Sequence, residues 1–319
     1  MKKTIKTIID KIKSSKTFLV TAHMNLEGDA LGSELSMYGL LRKLGKKVIV
    51  CNNDPTPQIY EFLPYTKVIK NDLKNETFDV AMVLDCSDPF RTGKIKDYLP
   101  RAKCIINIDH HISNTYFGDL NWVDAKASSA CQILYTLCEK MGVMDKKIAL
   151  CLYTGIFTDS GNFTYESTSE QTHKIVSTLM RYDIKPHRIY GQLHSLCFPQ
   201  DLKFIGSIIS FLKFDPQGKV CWSTIKVWEE KDYDLTEVIF SAMRLLKGVE
   251  VFILFKKVAP GKIRVNFRSR AVVDVNRIAQ FFGGGGHKRA SGTTIDGTLE
   301  GVENKVITFV KRSTNKLKS

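Results

Sequence analysis

Four short stretches carry side chains of the types that do metal chemistry. HMNLEGDALGS, residues 23–33, sets His23, Glu27 and Asp29 between two apolar runs. Asp85 follows VAMVL, Asp109, His110 and His111 close KCIINIDHH, and Asp159 lies in GIFTDSGNF. Taken singly each is weak, because an acid at a strand end is ordinarily a turn or a helix cap. Together they bring carboxylates into one crevice, where they repel and raise one another's pKa values. A divalent cation removes that cost. Oxygen donors with some imidazole suit manganese best, with magnesium or cobalt as alternatives. So many histidines and carboxylates exceed what one ion needs, so two ions about 3.5–4 Å apart are expected. Such a pair lowers the pKa of a bridging water and clamps a phosphoryl oxygen, which is the chemistry of phosphoester hydrolysis.

A second constellation follows later. FFGGGGHKRASG, residues 281–292, offers the backbone N–H groups of Gly284, Gly285 and Gly286 beside His287, Lys288 and Arg289. A glycine run alone is ordinarily a flexible loop; beside basic residues it suits a clamp on an anion. NFRSR adds Arg268, Ser269 and Arg270, and on a strand the two arginines share a face.

The elements that must position these groups are legible. TFLVTA (17–22), KVIVCN (47–52), VAMVLDC (80–86) and KCIINID (103–109) are short, continuous and β-branched, as parallel strands buried on both faces should be. Helical patterns separate them, including ALGSELSMYGLLRKLG, SSACQILYTLCEKMG and DKKIALCLYTGIFTDS. This alternation predicts an α/β fold with an N-terminal doubly wound, mostly parallel sheet. The acids and histidines then line the carboxyl edge of that sheet, where open α/β sheets bind ligands. The texture changes after SEQTHKIVSTLMRYDI, with strands expected at 218–228, 249–259 and 261–270, a short helix DVNRIAQFF and a last helix LEGVENKVITFVKR. The expected organisation is a catalytic domain over 1–185, a helical linker over 186–205 and a smaller α/β substrate-binding domain over 206–319, with the active site in the cleft between the domains.

Composition bounds the rest. The net charge of +14, from 47 basic and 33 acidic residues, favours an anionic partner such as nucleic acid or nucleotide. The eight cysteines form no C-x-x-C pair and sit in apolar runs, as reduced core residues of a cytoplasmic protein do. No apolar stretch is long enough to span a membrane. MKKTIKTIIDKIKSSK lacks the apolar core of a signal peptide; its isoleucines at 5, 8, 9 and 12 follow helical spacing.

His23 to Ser33, Asp85, Asp109-His110-His111 and Asp159 resemble, in order and spacing, the four motifs of the DHH phosphoesterases. GGGGHKRASG resembles the glycine-rich motif of their DHH-associated C-terminal domain, so the resemblance spans the chain. The length is similar to that of the oligoribonuclease and phosphoadenosine-phosphate phosphatase subgroup. The resemblance implies one ion held by His23, Glu27 and Asp85 and another by Asp29, Asp85, His110 and Asp159, with Asp85 bridging. It implies that Asp109 orients a histidine, that His111 faces the scissile phosphate, and that Arg91 of DPFRTG lies near the site. Arg268, Ser269 and the loop from Gly284 to His287 would grip the terminal nucleotide. One position departs, since the family pattern has Asp where this chain has Glu27 and Pro where it has Leu26. Glu keeps a carboxylate on a stem one methylene longer. The implied activity is hydrolysis of very short RNAs to mononucleotides, with removal of the 3′-phosphate of phosphoadenosine phosphate. Hydrolysis of cyclic or linear dinucleotides such as c-di-AMP or pApA, or nucleotide sensing at a degraded metal site, are the alternatives. The resemblance also admits a homodimer.

Overall fold

The computed structural model describes residues 2–194, 197–227 and 235–315, and the chain divides into two compact units, Met1–Ser195 and Leu196–Ser319. The expected linker thus contributes one helix to each unit, and its residues 195 and 196 lie outside the described residues.

The first unit runs α1 (Lys2–Ser14), β1 (Thr17–Thr21), α2 (Gly28–Lys43), β2 (Lys47–Cys51), β3 (Ile69–Lys70), β4 (Val80–Leu84), β5 (Ile105–Asp109), β6 (Leu120–Val123), α3 (Ala130–Lys140), α4 (Lys146–Asp159), α5 (Glu170–Met180) and α6 (Pro186–His194). The strands form one parallel sheet in the order β3-β2-β1-β4-β5-β6. Its apolar runs are continuous because successive side chains serve opposite faces. Phe18, Val20, Met82 and Leu84 join one core with Ile8 and Ile12 of α1 and residues of α3 to α5. Leu19, Ala81 and Val83 join another with Ile95 and Leu99 from the 3-10 turns of Pro89–Arg101. The isoleucine spacing of α1 is a packing stripe, since Ile8 and Ile12 are wholly buried.

The second unit runs α7 (Pro199–Ser210), β7 (Lys213–Phe214), β8 (Val220–Ile225), α8 (Leu235–Met243), β9 (Val251–Ala259), β10 (Lys262–Ser269), α9 (Val275–Phe281), β11 (Gly285–Gly286), β12 (Ala290–Asp296) and α10 (Leu299–Asn315). Its sheet, ordered β11-β12-β10-β9-β8-β7, is mixed: β8 and β9 are parallel and the other pairs antiparallel. Phe255 and Phe267 face the α9 and α10 side, while Phe252 and Leu254 face α7 and α8. The strand expected at 218–228 ends at Ile225, and Trp228 lies outside the described residues. The glycine run is not purely a loop, because Gly285 and Gly286 pair with Gly292 and Ser291.

Candidate metal centre

The strand order of the first sheet reverses between β1 and β4, and the crevice at such a switch point is where open α/β sheets hold ligands. His23 follows β1, Asp85 follows β4, and Asp109, His110 and His111 close β5, so three adjacent strands deliver side chains to one edge. Asp85 turns the chain sharply, with φ at 51°, a strained value for a non-glycine residue. Asp29 and Asp159 arrive differently from the strand-edge expectation. Asp29 stands in the first turn of α2, and Asp159 is the last residue of α4. Two glycines let those helix ends meet. A Cβ at Gly28 would overlap the Thr158 side chain, and one at Gly155 would come within 2.8 Å of Asp29 Oδ1.

The structure brings all six expected ligands together. His23 Nε2 lies 3.4 Å from Asp85 Oδ2 and 3.7 Å from Glu27 Oε1. His110 Nε2 lies 3.4 Å from Asp85 Oδ1, 3.3 Å from Asp159 Oδ2 and 3.9 Å from Asp29 Oδ2. Three overlapping groups result, His23-Glu27-Asp85, Asp85-His110-His111 and Asp29-His110-Asp159, with Asp85 Oδ2 toward His23 and Oδ1 toward His110. Atoms about 2.1 Å from a shared ion and roughly 90–110° apart are about 3.0–3.4 Å from each other, close to these spacings. Both Asp85 oxygens and His23 Nε2 are buried and make no hydrogen bond among the described residues. Buried polar atoms are rarely left so, and a shared cation is what this donor set fits.

Neighbours fix the ligand atoms in place. His23 Nδ1 lies 2.6 Å from the Met24 carbonyl; assigning the proton there leaves Nε2 with the lone pair. Asp29 accepts from the backbone N–H groups of Ala130 at 2.6 Å and Cys131 at 2.9 Å. Its charge thus sits at the N-termini of both α2 and α3, where helix dipoles favour it. Asp109 accepts from His111 Nδ1 at 2.7 Å and from Asn114 Nδ2 at 2.6 Å, and is wholly buried. His111 Nδ1 is also 3.6 Å from Asp85 Oδ1, but its proton is committed to Asp109. On the far nitrogen, Arg91 Nη1 lies 3.5 Å from His111 Nε2 and donates to Ser87 Oγ at 3.2 Å. Glu27 is the outlying member: its side chain is 51% exposed, while His23 and Asp85 beside it are buried.

The charges are strongly coupled. Burial, then the nearby Asp85 charge, push Asp29 above the usual carboxylate range, and burial does the same to Asp159. Burial also disfavours charge on Asp85, but His110 and His23 outweigh it and hold that carboxyl well below the usual range. Burial opposes charge on His23, yet Asp85 and Glu27 push it up to about 11. Crowded buried acids of this kind must be balanced by protons or by a cation.

The expected substrate residues divide between the units. Arg91 is at the centre; Arg268, Ser269, Gly284, Gly285, Gly286 and His287 lie in the second unit. There β10 sets Arg268 opposite Ala290, whose backbone closes a tight turn with His287, so the arginine and the turn share one end of the sheet. Arg268 pairs with Glu237 and lies 4.9 Å from the Phe240 ring. Ser269 is buried and donates to the Val273 carbonyl at 2.6 Å. Gly284 packs so closely on β12 that a Cβ would overlap Thr293, whereas Gly285, Gly286 and His287 are exposed. Arg270 falls just beyond β10, and its guanidinium donates to the carbonyls of Arg244, Leu246 and Val249. Sequence reasoning missed Asn114, which also donates to Asn107 Oδ1, and Glu34, fully buried on α2 and bonded to Asn52 at 2.8 Å. Asn114 stands three residues after the D-H-H run, and that proximity was its only signal.

Buried acids and imidazoles at the switch point of a doubly wound unit make a site able to hold divalent cations, the kind of centre on which metal-dependent phosphoesterases work. Residues 17–156 match the model of the DHH family N-terminal domain, and residues 217–318 match that of the DHHA1 domain. The chain is 31% identical over 302 residues, 90% of its length and 92% of the relative's, to a Streptococcus mutans protein described as a probable bifunctional oligoribonuclease and PAP phosphatase NrnA. It is 29% identical over 280 residues, 87% of its length and 84% of the relative's, to the bifunctional oligoribonuclease and PAP phosphatase NrnA of Thermus thermophilus. In fold it is similar to the crystal structure of an exopolyphosphatase-related protein from Bacteroides fragilis, with TM-score 0.89 and 24% identity over 100% of this chain and 97% of that one. The chain belongs to the DHH family of phosphoesterases. Among the described residues no helix is long and apolar enough to cross a membrane.

Proposed function

We propose that the protein hydrolyses very short oligoribonucleotides to mononucleotides and removes the 3′-phosphate of phosphoadenosine phosphate. The observation that carries this reading is the Asp85 carboxylate, buried between His23 and His110 with neither oxygen accepting a hydrogen bond among the described residues. The activities named for the Streptococcus and Thermus relatives, matched over most of their length, give it its substrate class.

His23, Glu27 and Asp85 would hold one divalent ion, and Asp29, Asp85, His110 and Asp159 the other, manganese being the best match to the donors. The chemistry such a pair would supply is Lewis acidity, to make water a better nucleophile and to offset charge on the phosphoryl oxygens. The chain's own groups do the rest. Asp109 holds His111 by its Nδ1–H, so Nε2 is the nitrogen presented beside Arg91. Arg91 brings a permanent positive charge to the same place, suited to the non-bridging oxygens of a phosphate. His111 Nε2 would take up the proton that the attacking water loses and pass it to the leaving oxygen. In the second unit, Arg268 and the exposed backbone of Gly285, Gly286 and His287 would grip the terminal nucleotide. Ser269 and Gly284 would serve that grip by shaping the backbone. We place this chemistry in the cytoplasm, where its substrates arise.

The test is a manganese-dependent turnover assay on a diribonucleotide, a 20-mer, phosphoadenosine phosphate and c-di-AMP, with Asp85→Ala as control. Wild-type protein should turn over the dinucleotide and phosphoadenosine phosphate, and the variant neither. Absence of metal-dependent hydrolysis of all four refutes the reading; equal cleavage of the 20-mer refutes the preference for short substrates, and exclusive cleavage of c-di-AMP refutes the oligoribonuclease assignment.

A further inference from the structure

Large apolar side chains are exposed beside the metal centre, which is otherwise polar. Phe90 is 71% exposed, Ile112 92%, Tyr116 63% and Met24 37%. Each neighbours a site residue in sequence: Met24 follows His23, Phe90 precedes Arg91, Ile112 follows His111, and Tyr116 lies two residues after Asn114. Hydrogen bonds lace these loops together. Met24 N–H donates to the Arg91 carbonyl at 2.6 Å, and Thr115 donates to the Ser87 carbonyl through N–H at 2.8 Å and Oγ1 at 3.1 Å. The four residues therefore sit on loops that are tied to one another next to Arg91 and His111.

Tyr116 is the member held most deliberately. Its φ of 56° lies in the left-handed region, which a bulky residue adopts only under strain. Asn114 Oδ1 accepts from its N–H at 2.7 Å, and Asn121 Nδ2 donates to its carbonyl at 3.2 Å. The same Asn114 donates to Asp109, which orients His111. The backbone of the aromatic residue and the imidazole thus share one rigid mount. Backbone strain at an exposed aromatic is hard to account for by folding, since the ring buries little.

A nucleotide pairs an anionic phosphate with a flat apolar base a few bonds away. The protein offers the complementary pair: cationic and imidazole groups at the centre and aromatic rings at its edge. We propose that Tyr116, supported by Phe90, is a stacking platform for the nucleobase next to the scissile phosphate. This rests on the phosphodiesterase reading above. It adds a base-binding element to the first unit, separate from the glycine turn of the second. Stacking tolerates every base and rewards the larger purine face.

Two measurements on the full-length protein test the platform. The first is steady-state kinetics with manganese on a diribonucleotide and on the same compound lacking one base. Tyr116→Ala should raise KM for the dinucleotide about ten-fold, with kcat within about two-fold, and leave the abasic substrate unchanged. Tyr116→Trp should preserve the wild-type KM. Tyr116→Gly, which relieves the backbone strain, should lose binding as Tyr116→Ala does, separating ring loss from misfolding. The second is calorimetric binding of AMP against ribose 5-phosphate, which needs no turnover. Wild-type protein should prefer AMP, and Tyr116→Ala should abolish the preference. No turnover of the dinucleotide by wild-type protein would sink the phosphodiesterase reading while leaving the AMP comparison to decide the platform. An unchanged AMP preference in both Tyr116→Ala and Phe90→Ala, or an equal KM rise on the abasic substrate, overturns the platform itself.

Discussion

Asn in place of Asp85 should separate metal binding from folding. The carboxylate is buried, and neither oxygen accepts a hydrogen bond among the described residues, so an amide forfeits none. Asn Nδ2 could instead donate to His23 Nε2, now 3.4 Å from Asp85 Oδ2 and making no hydrogen bond among the described residues. The amide gives up the contacts to His23 and His110 but also removes the cost of burying a carboxylate, so without added metal Asp85→Asn should melt close to wild type. With metal the two should separate. A ligand at one hundred times its Kd stabilises the native state by about 2.7 kcal/mol. The first unit spans Met1–Ser195, and an unfolding entropy of about 2.1 cal/mol/K per residue gives it roughly 0.4 kcal/mol/K. Wild-type Tm should then rise about 7 °C per ion bound, and more where both clusters fill. An amide at the shared position is a poor ligand for both clusters, so the variant's rise should fall below about 2 °C. Differential scanning calorimetry with manganese and with a chelator measures both quantities. A wild-type Tm indifferent to manganese, or a variant that keeps the full rise, refutes the idea that Asp85 is the shared metal ligand.

Three other perturbations probe the support around the centre. Asp109→Asn removes the charge that fixes the His111 Nδ1 proton, so kcat should fall about 10²–10⁴-fold while bound manganese stays at the wild-type ratio; loss of metal would mean Asp109 is itself a ligand. Glu27→Asp should shift the manganese Kd by no more than about ten-fold, read by electron paramagnetic resonance, because the residue is 51% exposed; no change in Kd or metal content would remove it from the ligand set. Glu34 is pushed up to about 8 by burial from its ordinary 4.5, so the folded chain keeps a proton there that the unfolded chain loses. Its contribution to stability is thus fully present below pH 4.5 and lost as pH rises to about 8, and Glu34→Gln should flatten urea-denaturation stability across that window; an unaltered slope would show that Glu34 does not titrate there.

The first sheet was legible because strands buried on both faces leave a continuous apolar signature, and the acids at their ends mark the edge that binds. The short strands Ile69–Lys70 and Leu120–Val123 left no comparable signature, because edge strands this brief carry too few residues for a pattern. Asp159 was found by its motif but not by its geometry. It terminates a helix, and only the glycine contacts between α2 and α4 bring it to His110. Asn114 and Glu34 escaped because a buried polar residue looks, in a sequence, like any surface polar residue; its partners are distant in the chain. The glycine run carries structural demands that its sequence did not show. From sequence the run was read as a clamp on an anion, and the packing adds that Gly284 is required by close approach to Thr293 and Gly286 by a φ of 143°.

Asp29 holds two posts at once, facing His110 while capping the first N–H groups of α3. Evolution can therefore retire the two sides of this centre by different routes. A lineage that abandons catalysis can exchange Asp85 and still inherit a well-folded protein. Exchange of Asp29 also unpins a core helix, so it should disappear from the protein pool before its activity can be scored. In a deep mutational scan that records abundance and turnover separately, the two aspartates should land in opposite quadrants. Descendants that have lost the chemistry would be expected to keep Asp29 as a fossil of it.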